Sequence, residues 1–598
     1  MAAGTGLAAL IASLTVLGFA GLYYPLTFVL LLSFLSLWWR SRLAEAIAVW
    51  KAAPVRWAED PDTASALTGA TVFFSAAFLA IAAMLALAPS VAHDSLMMHL
   101  PAARHYAMTG GLEPLPGQPY SFYPQGAETV MAAAYSLGGQ PAVQLVHPLF
   151  FALALGAVFA LARRLGAGRG ASLFAAALLL ATPFALWDGS VIKNDFAVAA
   201  LQLLALLCAV GEPAGKGRLR LGVVLLATSL AVKQTAVFGI AAIGPVLLWR
   251  VRHRPGALRE AALWAAIGVL VPIGWPLRSL FVTGNPLYPE EFGRLVGRVS
   301  PELGSGEAWI GVPVWATPWV TTFDGQRLFE SPTDNPLGFF LLFSLPVWLA
   351  IGRRRPSDAS HLAGVAALTY FLAWNAVFPF LRYAIALAGI LYALAGIRFD
   401  ALYRLGGPAV RVVAWGLAVY NFAFCLLPTM IVSLNGPQLL YFAGKIDRDE
   451  YLRRALAPYA AMERVASAGP HDCILGAWVT TAGYAPYPAA FHTVYPKSRL
   501  LVPEAAAQIA DELEERPYRF LIAPDEPRAR ATLHDLPSDY AYEQDFSDGR
   551  YLVYRLTPPA RLDGIDCSGP REYDTVRESA RALSPGLVHE KRRRLSRP

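Results

Sequence analysis

The chain has 598 residues, of which 56% are hydrophobic and only 16% charged. Soluble globular chains carry about 25% charged and 45–50% apolar residues, and a single soluble core stops growing well below this length. One soluble domain is therefore excluded. The formal net charge of +7 does not point to nucleic acid, because most basic residues stand in short loops between apolar runs, where they set membrane orientation.

In chain order, uncharged apolar runs of about 17–25 residues, the length that crosses a bilayer core as a helix, recur up to residue 435. They predict a polytopic α-helical membrane protein with about thirteen transmembrane helices: 5–21, 24–39, 66–88, 141–162, 171–187, 195–210, 219–232, 235–250, 260–280, 336–352, 361–378, 381–397 and 410–434. The first two runs flank Gly21-Leu22-Tyr23-Tyr24-Pro25 and read as a hairpin rather than a cleavable signal. The pair around Lys233 reads equally as one bent helix with a re-entrant turn. Alternate loops differ in charge. One set carries twenty Lys and Arg, in the groups 40–56, 163–169, 216–220, 250–259, 353–355 and 398–411. The other set, up to residue 435, carries eight: Arg104, Lys193, Lys233, Arg278, Arg294, Arg298, Arg327 and Arg382. By the positive-inside rule the N-terminus faces the cytoplasm of an inner (plasma) membrane and the C-terminal part lies outside.

Two loops on that outer side, 89–140 and 282–335, are too long to be simple connections and are expected to be structured. Together with the spans they complete a membrane domain over 1–434. Residues 435–565 change to alternating helix and strand patterns, the mark of a small α/β soluble domain. The expected helices are Asp447–Ala468, Glu504–Glu515 and Glu526–His534; the expected strands are 473–475, 499–502, 518–523 and 550–556. Residues 566–598 form a basic tail expected to be disordered. Cys473 and Cys567 are candidates for a disulfide if this domain faces an oxidising space. Cys208 and Cys425 fall inside apolar runs and read as packing residues.

Ionisable residues at the hydrocarbon boundary carry the functional signal, because charge there is costly unless it is used. Asp94 follows the third predicted span, and Asp195 opens the sixth in Lys193-Asn194-Asp195-Phe196. Lys233 ends the seventh, Arg278 the ninth, and Arg382 opens the twelfth beside Tyr383. All five fall on one side. Two acids and three bases at one depth suit chemistry on a lipid-linked phosphate: cations to hold the phosphate, and a carboxylate to deprotonate an acceptor. Four have a plain alternative: Asp195 as a helix cap, Arg278 and Arg382 as snorkelling side chains, and Asp94 as a loop residue; Lys233, followed directly by another apolar run, is harder to dismiss. Asp188, in Trp187-Asp188-Gly189-Ser190, competes with Asp195 for the second acid. His93, His99 and His105 recur every six residues, a spacing that separates them around a helix and argues against a metal pair.

Several passages resemble the multispanning glycosyltransferases of the C-type fold, the group that includes aminoarabinose transferases and protein mannosyltransferases. They are Asp94-Ser95 with His99-Leu100-Pro101, Asn194-Asp195 opening a span, Leu230-Ala231-Val232-Lys233, Gly284-Asn285-Pro286-Leu287-Tyr288-Pro289, and Arg382-Tyr383. The likeness extends over about residues 60–560. It implies a polyprenyl-phosphate sugar donor, a lipid or glycan acceptor with a hydroxyl or amine, inversion at the sugar, and no cofactor. It further implies Asp94 as general base, Asp195 as the second acid, and Lys233, Arg278 and Arg382 on the donor phosphate. His99, Asp188 and Tyr383 are the remaining candidates for substrate contact. The first outer loop lacks a neighbouring acid pair, which disfavours a metal-dependent oligosaccharyltransferase. The extra hairpin before residue 40 departs from part of the group. Two readings of other classes compete. A transporter or lipid flippase would show matching broken helices in two similar halves, and no such repeat is visible. A non-catalytic subunit with a glycan- or partner-binding outer domain gains if Asp94 and Asp195 do not share a cavity.

Overall fold

The computed structural model describes most of residues 2–42, 66–288, 357–494 and 502–565; the stretches 52–65, 289–312, 321–356, 495–501 and 566–598 and some single positions lie outside the described residues. The predicted span 336–352, most of the loop 282–335, the tail and Cys567 fall in those stretches.

Helices stand at the other twelve predicted spans, but they are unequal. Six are long and apolar enough to cross a membrane, or up to eight if each of two bent pairs is one span. The bent pairs are Arg169–Ala181 with Pro183–Ser190, at 74°, and Ala257–Leu270 with Gly274–Thr283, at 46°. Thr182 precedes Pro183, and a residue before proline is steered out of helical geometry; Thr182 is extended, at φ −64° and ψ 111°. The break brings Asp188 and Lys193 back toward the third predicted span.

The Gly126–Arg164 helix has 39 residues, about 58 Å at 1.5 Å per residue. That is nearly twice a bilayer core of roughly 30 Å. A kink at Gly138 and Gly139, where Gly139 has φ +64°, divides it into a loop segment and the span predicted at 141–162. Gly126 starts the loop segment where a Cβ would lie 2.9 Å from the Ala231 carbonyl oxygen, so only glycine lets this end approach the Lys233 helix. The Asp195–Val210 helix is buried along all sixteen residues. A helix apolar on every side belongs in a core, and this one is the centre of the bundle, packed by the Gly126–Arg164, Lys216–Val232 and Ile385–Leu405 helices.

The C-terminal domain is one five-stranded sheet of order β2-β1-β3-β5-β4. Its strands are β1 (Cys473–Ala477), β2 (Phe491–Val494), β3 (Tyr518–Pro524), β4 (Ala541–Ser547) and β5 (Tyr551–Thr557). β1 pairs in parallel with β2 and β3, while β5 runs antiparallel to β3 and β4. Several sequence expectations change here. The single helix expected over Asp447–Ala468 is two, Arg448–Ala455 and Tyr459–Arg464, because Pro458 cannot donate to a continuing ladder. Of the strand expected at 499–502, Val502 opens the Val502–Glu515 helix and the rest lies outside the described residues. β2 and β4 were not expected. Cys473 is disulfide-bonded, while Cys208 and Cys425 are buried thiols.

Candidate functional site

Asp94 sits where the chain turns from the Ala66–Leu87 helix into a second helical stretch. Its backbone is helical, and a π-helical turn over Ser95–His99 follows, closed by the Leu100 N–H on the Ser95 carbonyl. Such wide turns re-aim side chains and recur at functional sites. Here Ser95 donates to the Ile192 carbonyl at 2.7 Å, fastening the turn to the Lys193-Asn194-Asp195 passage.

Arg382 lies on the 3-10 turn Leu381–Ala384 that starts the Ile385–Leu405 helix. Its guanidinium donates to Asp94 Oδ2. Lys193 Nζ is 3.7 Å from the same oxygen and 3.0 Å from Asp188 Oδ1. Burial alone would raise the Asp94 carboxyl, but Arg382 and then Lys193 outweigh it and hold the group well below the usual aspartate range. Burial likewise opposes charge on Lys193, yet Asp188 and then Asp94 keep it protonated. The carboxylate is ionised in the resting protein.

Asp195 is the first residue of its helix, and its side chain does not serve as a cap. Lys233, in extended conformation at the end of the Lys216–Val232 helix, donates to Asp195 Oδ1 at 2.7 Å. The other oxygen, Oδ2, is buried and accepts no hydrogen bond from the described residues, and an orphaned buried acceptor marks a position for a further partner. Tyr383 joins the two ion pairs: Lys233 Nζ lies 5.0 Å and Arg382 Cζ 5.1 Å from its ring centre. A small cavity borders Asp195, Gln202, Thr235, Tyr370, Arg382 and Tyr383, with aliphatic side chains between them. Asp94 does not line this cavity; it is bonded to Arg382, which does.

The structure thus brings together Asp94, Asp188, Asp195, Lys233, Arg382 and Tyr383. Lys193 joins them as a residue not singled out from the sequence, although it stands in the quoted passage. His99 is one layer behind, its Nδ1 2.5 Å from Glu128 Oε1, and Asn194 donates to the same oxygen at 3.0 Å. Arg278 is placed elsewhere. It is buried and donates to the Tyr106 hydroxyl at 3.0 Å, the Leu112 carbonyl at 3.1 Å and the Ser121 carbonyl, pinning the loop between the helices beginning at Leu100 and Gly126. His147 fixes the entry to the central helix. Its Nε2 accepts from the Phe196 N–H at 3.1 Å, so its Nδ1, 2.8 Å from the Val191 carbonyl, is the nitrogen that carries the proton in the neutral ring.

The fold has solved counterparts. ArnT from Cupriavidus metallidurans bound to undecaprenyl phosphate superposes with a TM-score of 0.55 at 16% identity, over 84% of this chain and 100% of that one. Its apo state gives 0.53 at 16% identity over the same shares. The chain has the C-type glycosyltransferase fold. It is a multi-pass membrane protein. An oligosaccharyltransferase of Archaeoglobus fulgidus gives a TM-score of 0.45 at 12% identity, over 81% of this chain and 73% of that one. No protein-family model and no curated protein sequence matches the chain.

Proposed function

We propose that this protein transfers a sugar from a polyprenyl-phosphate donor to a hydroxyl or amine of a lipid or glycan acceptor, with inversion at the anomeric carbon. The observation that carries the reading is the corner where Asp94 and Asp195 each hold a cation, Arg382 and Lys233, across one tyrosine ring. At rest the three carboxylates Asp94, Asp188 and Asp195 meet the three cations Lys193, Lys233 and Arg382. A donor phosphate entering the corner competes with the carboxylates for Arg382 and Lys233. Drawing Arg382 away raises the proton affinity of Asp94, and the carboxylate becomes a stronger base as the donor is bound. The acceptor O–H or N–H then gives its proton to Asp94, and its lone pair attacks the anomeric carbon. The carbon–oxygen bond to phosphate breaks, and the departing phosphate keeps the electron pair beside the two cations. The ligand named with the ArnT structure, undecaprenyl phosphate, supports a lipid phosphate as the donor's carrier.

The loop charges support placing this corner and the sheet domain on the outer side of an inner membrane. The disulfide at Cys473 supports the same side, since disulfides persist in oxidising compartments. Single-turnover consumption of undecaprenyl-phosphate monosaccharides in native membranes tests the proposal. Loss of transfer in Asp94→Asn with retained binding of undecaprenyl phosphate is expected; full transfer in that variant overturns the assignment of the base.

A further inference from the structure

The segment that carries Asp94 is gripped from the sheet domain by groups the transfer chemistry does not use. Arg104 lies on the Leu100–Thr109 helix. Its guanidinium donates to three carbonyls of one turn: Gly483 at 2.6 Å, Ala485 at 2.8 Å and Pro486 at 3.1 Å. Tyr484, in the middle of that turn, reaches the other end of the segment, where its hydroxyl donates to the Ser90 carbonyl at 2.7 Å. The same hydroxyl accepts from Gln140 Nε2 at 3.1 Å. Gly483 lies flat against the π-helical turn itself, and a Cβ there would be 3.1 Å from Leu96 Cα. The apolar contacts agree, since Ala88, Tyr451 and Tyr459 form one small core with Val91 and Tyr484 beside it. Residues 90, 96 and 104 are all held from one turn, and Asp94 lies between them.

These are contacts to backbone, which fix where a segment lies rather than what its side chains bind. A general base must be held to within about 0.5 Å of its productive position, and a misplacement of about 1 Å can cost on the order of a hundredfold in rate. On the membrane side the same segment is held by Ser95 on the Ile192 carbonyl, Gln144 on the Ala88 carbonyl and His99 against Glu128, so the turn closes the grip from the opposite side. We propose that the 482–486 turn of the C-terminal domain is a positioning clamp for Asp94, so that the sheet domain is part of the catalytic unit. This rests on Asp94 being the base. Arg104, Gly483 and Tyr484 are positioning residues that act through it.

The test uses the full chain in lipid nanodiscs, with Tyr484→Phe, Gly483→Ala, Arg104→Lys, Arg104→Ala and Asp94→Asn side by side. Turnover is measured with undecaprenyl-phosphate monosaccharides and native membrane lipid extract as acceptor source. Binding is measured with undecaprenyl phosphate, and backbone hydrogen exchange over 88–109 is followed. Turnover should fall about tenfold in Arg104→Ala, less in Tyr484→Phe and Gly483→Ala, with partial rescue in Arg104→Lys. Undecaprenyl phosphate affinity should stay within about twofold, because Lys233 and Arg382 stand on other elements. Exchange should quicken at 88–109 and not along the Asp195–Val210 helix. Wild-type turnover in Tyr484→Phe and Gly483→Ala overturns the clamp even if Arg104→Ala fails to fold. Parallel loss of turnover and lipid affinity overturns it too, reducing the turn to a general docking contact. Transfer by Asp94→Asn refutes the base assignment instead, which separates the two failures.

Discussion

Ion pairs occur in two regions of this chain and on very different terms. At the Asp94 corner the paired side chains are between 0 and 17% exposed. On the sheet domain the arginines of Arg453–Glu463, Arg464–Asp545 and Arg561–Asp539 are each about half exposed, at 47 to 51%. Geometry does not separate the two sets: Arg464 Nε to Asp545 is 2.8 Å and Lys233 to Asp195 is 2.7 Å. Solvent does. A buried pair gives up hydration that its mutual attraction often fails to recover, and an apolar pair of the same volume is frequently as stable. An exposed pair is screened and contributes little. The buried pairs of the corner are therefore poorly explained as stabilising contacts, which supports the proposed role, whereas the sheet-domain pairs solvate a surface.

The largest break in this comparison is Asp94→Asn. Loss of a general base lowers transfer by about 10²–10⁴-fold. Lipid phosphate binding should be unchanged or tighter, because Asn no longer competes with phosphate for Arg382. Single-turnover kinetics and undecaprenyl phosphate binding on the same preparation check both halves. A weaker lipid affinity would mean that Asp94 organises the phosphate site rather than opposing it.

Next come the cations. Lys233→Ala and Arg382→Ala should each weaken lipid phosphate binding by about tenfold or more, since a charge-assisted contact is removed, and turnover should fall with it. Lys233→Ala also leaves Asp195 buried without its partner, a change that generally costs about 3–5 kcal/mol, so its Tm should drop. Lys233→Met, which keeps the length without the charge, separates lost binding from lost packing. Arg278→Lys is the contrast within the membrane region. Its partners are a hydroxyl and two carbonyls of this chain, so it should lower Tm and leave the affinity of folded protein for undecaprenyl phosphate unchanged.

A smaller effect is expected from Lys193→Gln, and its sign can be worked out. Arg382 and Lys193 hold the Asp94 carboxyl below its ordinary value. Removing one of them raises it toward the model-peptide value of about 3.9. The acid limb of kcat/KM, which reports the free enzyme, should lie below that value in the wild type and move upward in Lys193→Gln. In the wild type the limb of kcat should stand above that of kcat/KM, because bound donor takes up Arg382. A pH–rate profile of both constants checks this. Coincident limbs would mean that the phosphate leaves the Asp94–Arg382 pair intact.

How much of this was legible in the sequence follows from the same physics. Apolar runs report on helix position residue by residue, so helices stand at the twelve predicted spans among the described residues, although only six to eight of them are long and apolar enough to cross a membrane. Asp94, Lys233 and Arg382 stand out in the sequence as single charges at the edge of an apolar run, and Asp195 as the acid that opens one. Arg278 gives the same local signal, but its carbonyl partners lie over 150 residues earlier and leave no mark nearby. Lys193 was passed over for the opposite reason: within its polar tripeptide nothing distinguishes it, and its distant partner Asp94 lies about a hundred residues earlier. The strands that escaped notice, β2 and β4, are the two edges of the sheet. One is four residues long, and the other reads Ala-Tyr-Glu-Gln-Asp-Phe-Ser with an exposed face. Short and charged is how edges avoid pairing with other chains, and it also erases the apolar alternation by which strands are found.

The smallest effect sharpens the comparison most. Arg464 donates two hydrogen bonds to Asp545, at 2.8 and 3.0 Å, which is better geometry than Lys193 has with Asp94. If distance set the worth of an ion pair, Arg464→Gln would be the more damaging substitution of the two. Solvent predicts the reverse. The guanidinium is 51% exposed, water replaces Asp545 when it is removed, and Asp545 keeps Arg555 within 3.8 Å. Arg464→Gln should therefore leave Tm, lipid binding and turnover at wild-type values, and raising the salt concentration should not change that result. Melting curves at low and high ionic strength, set beside those of Lys193→Gln, read the difference directly. A clear loss of Tm in Arg464→Gln at low salt that vanishes at high salt would show that the pair tethers the Tyr459–Arg464 helix to β4, and the sheet domain's ion pairs would then carry structural weight that their exposure denies them.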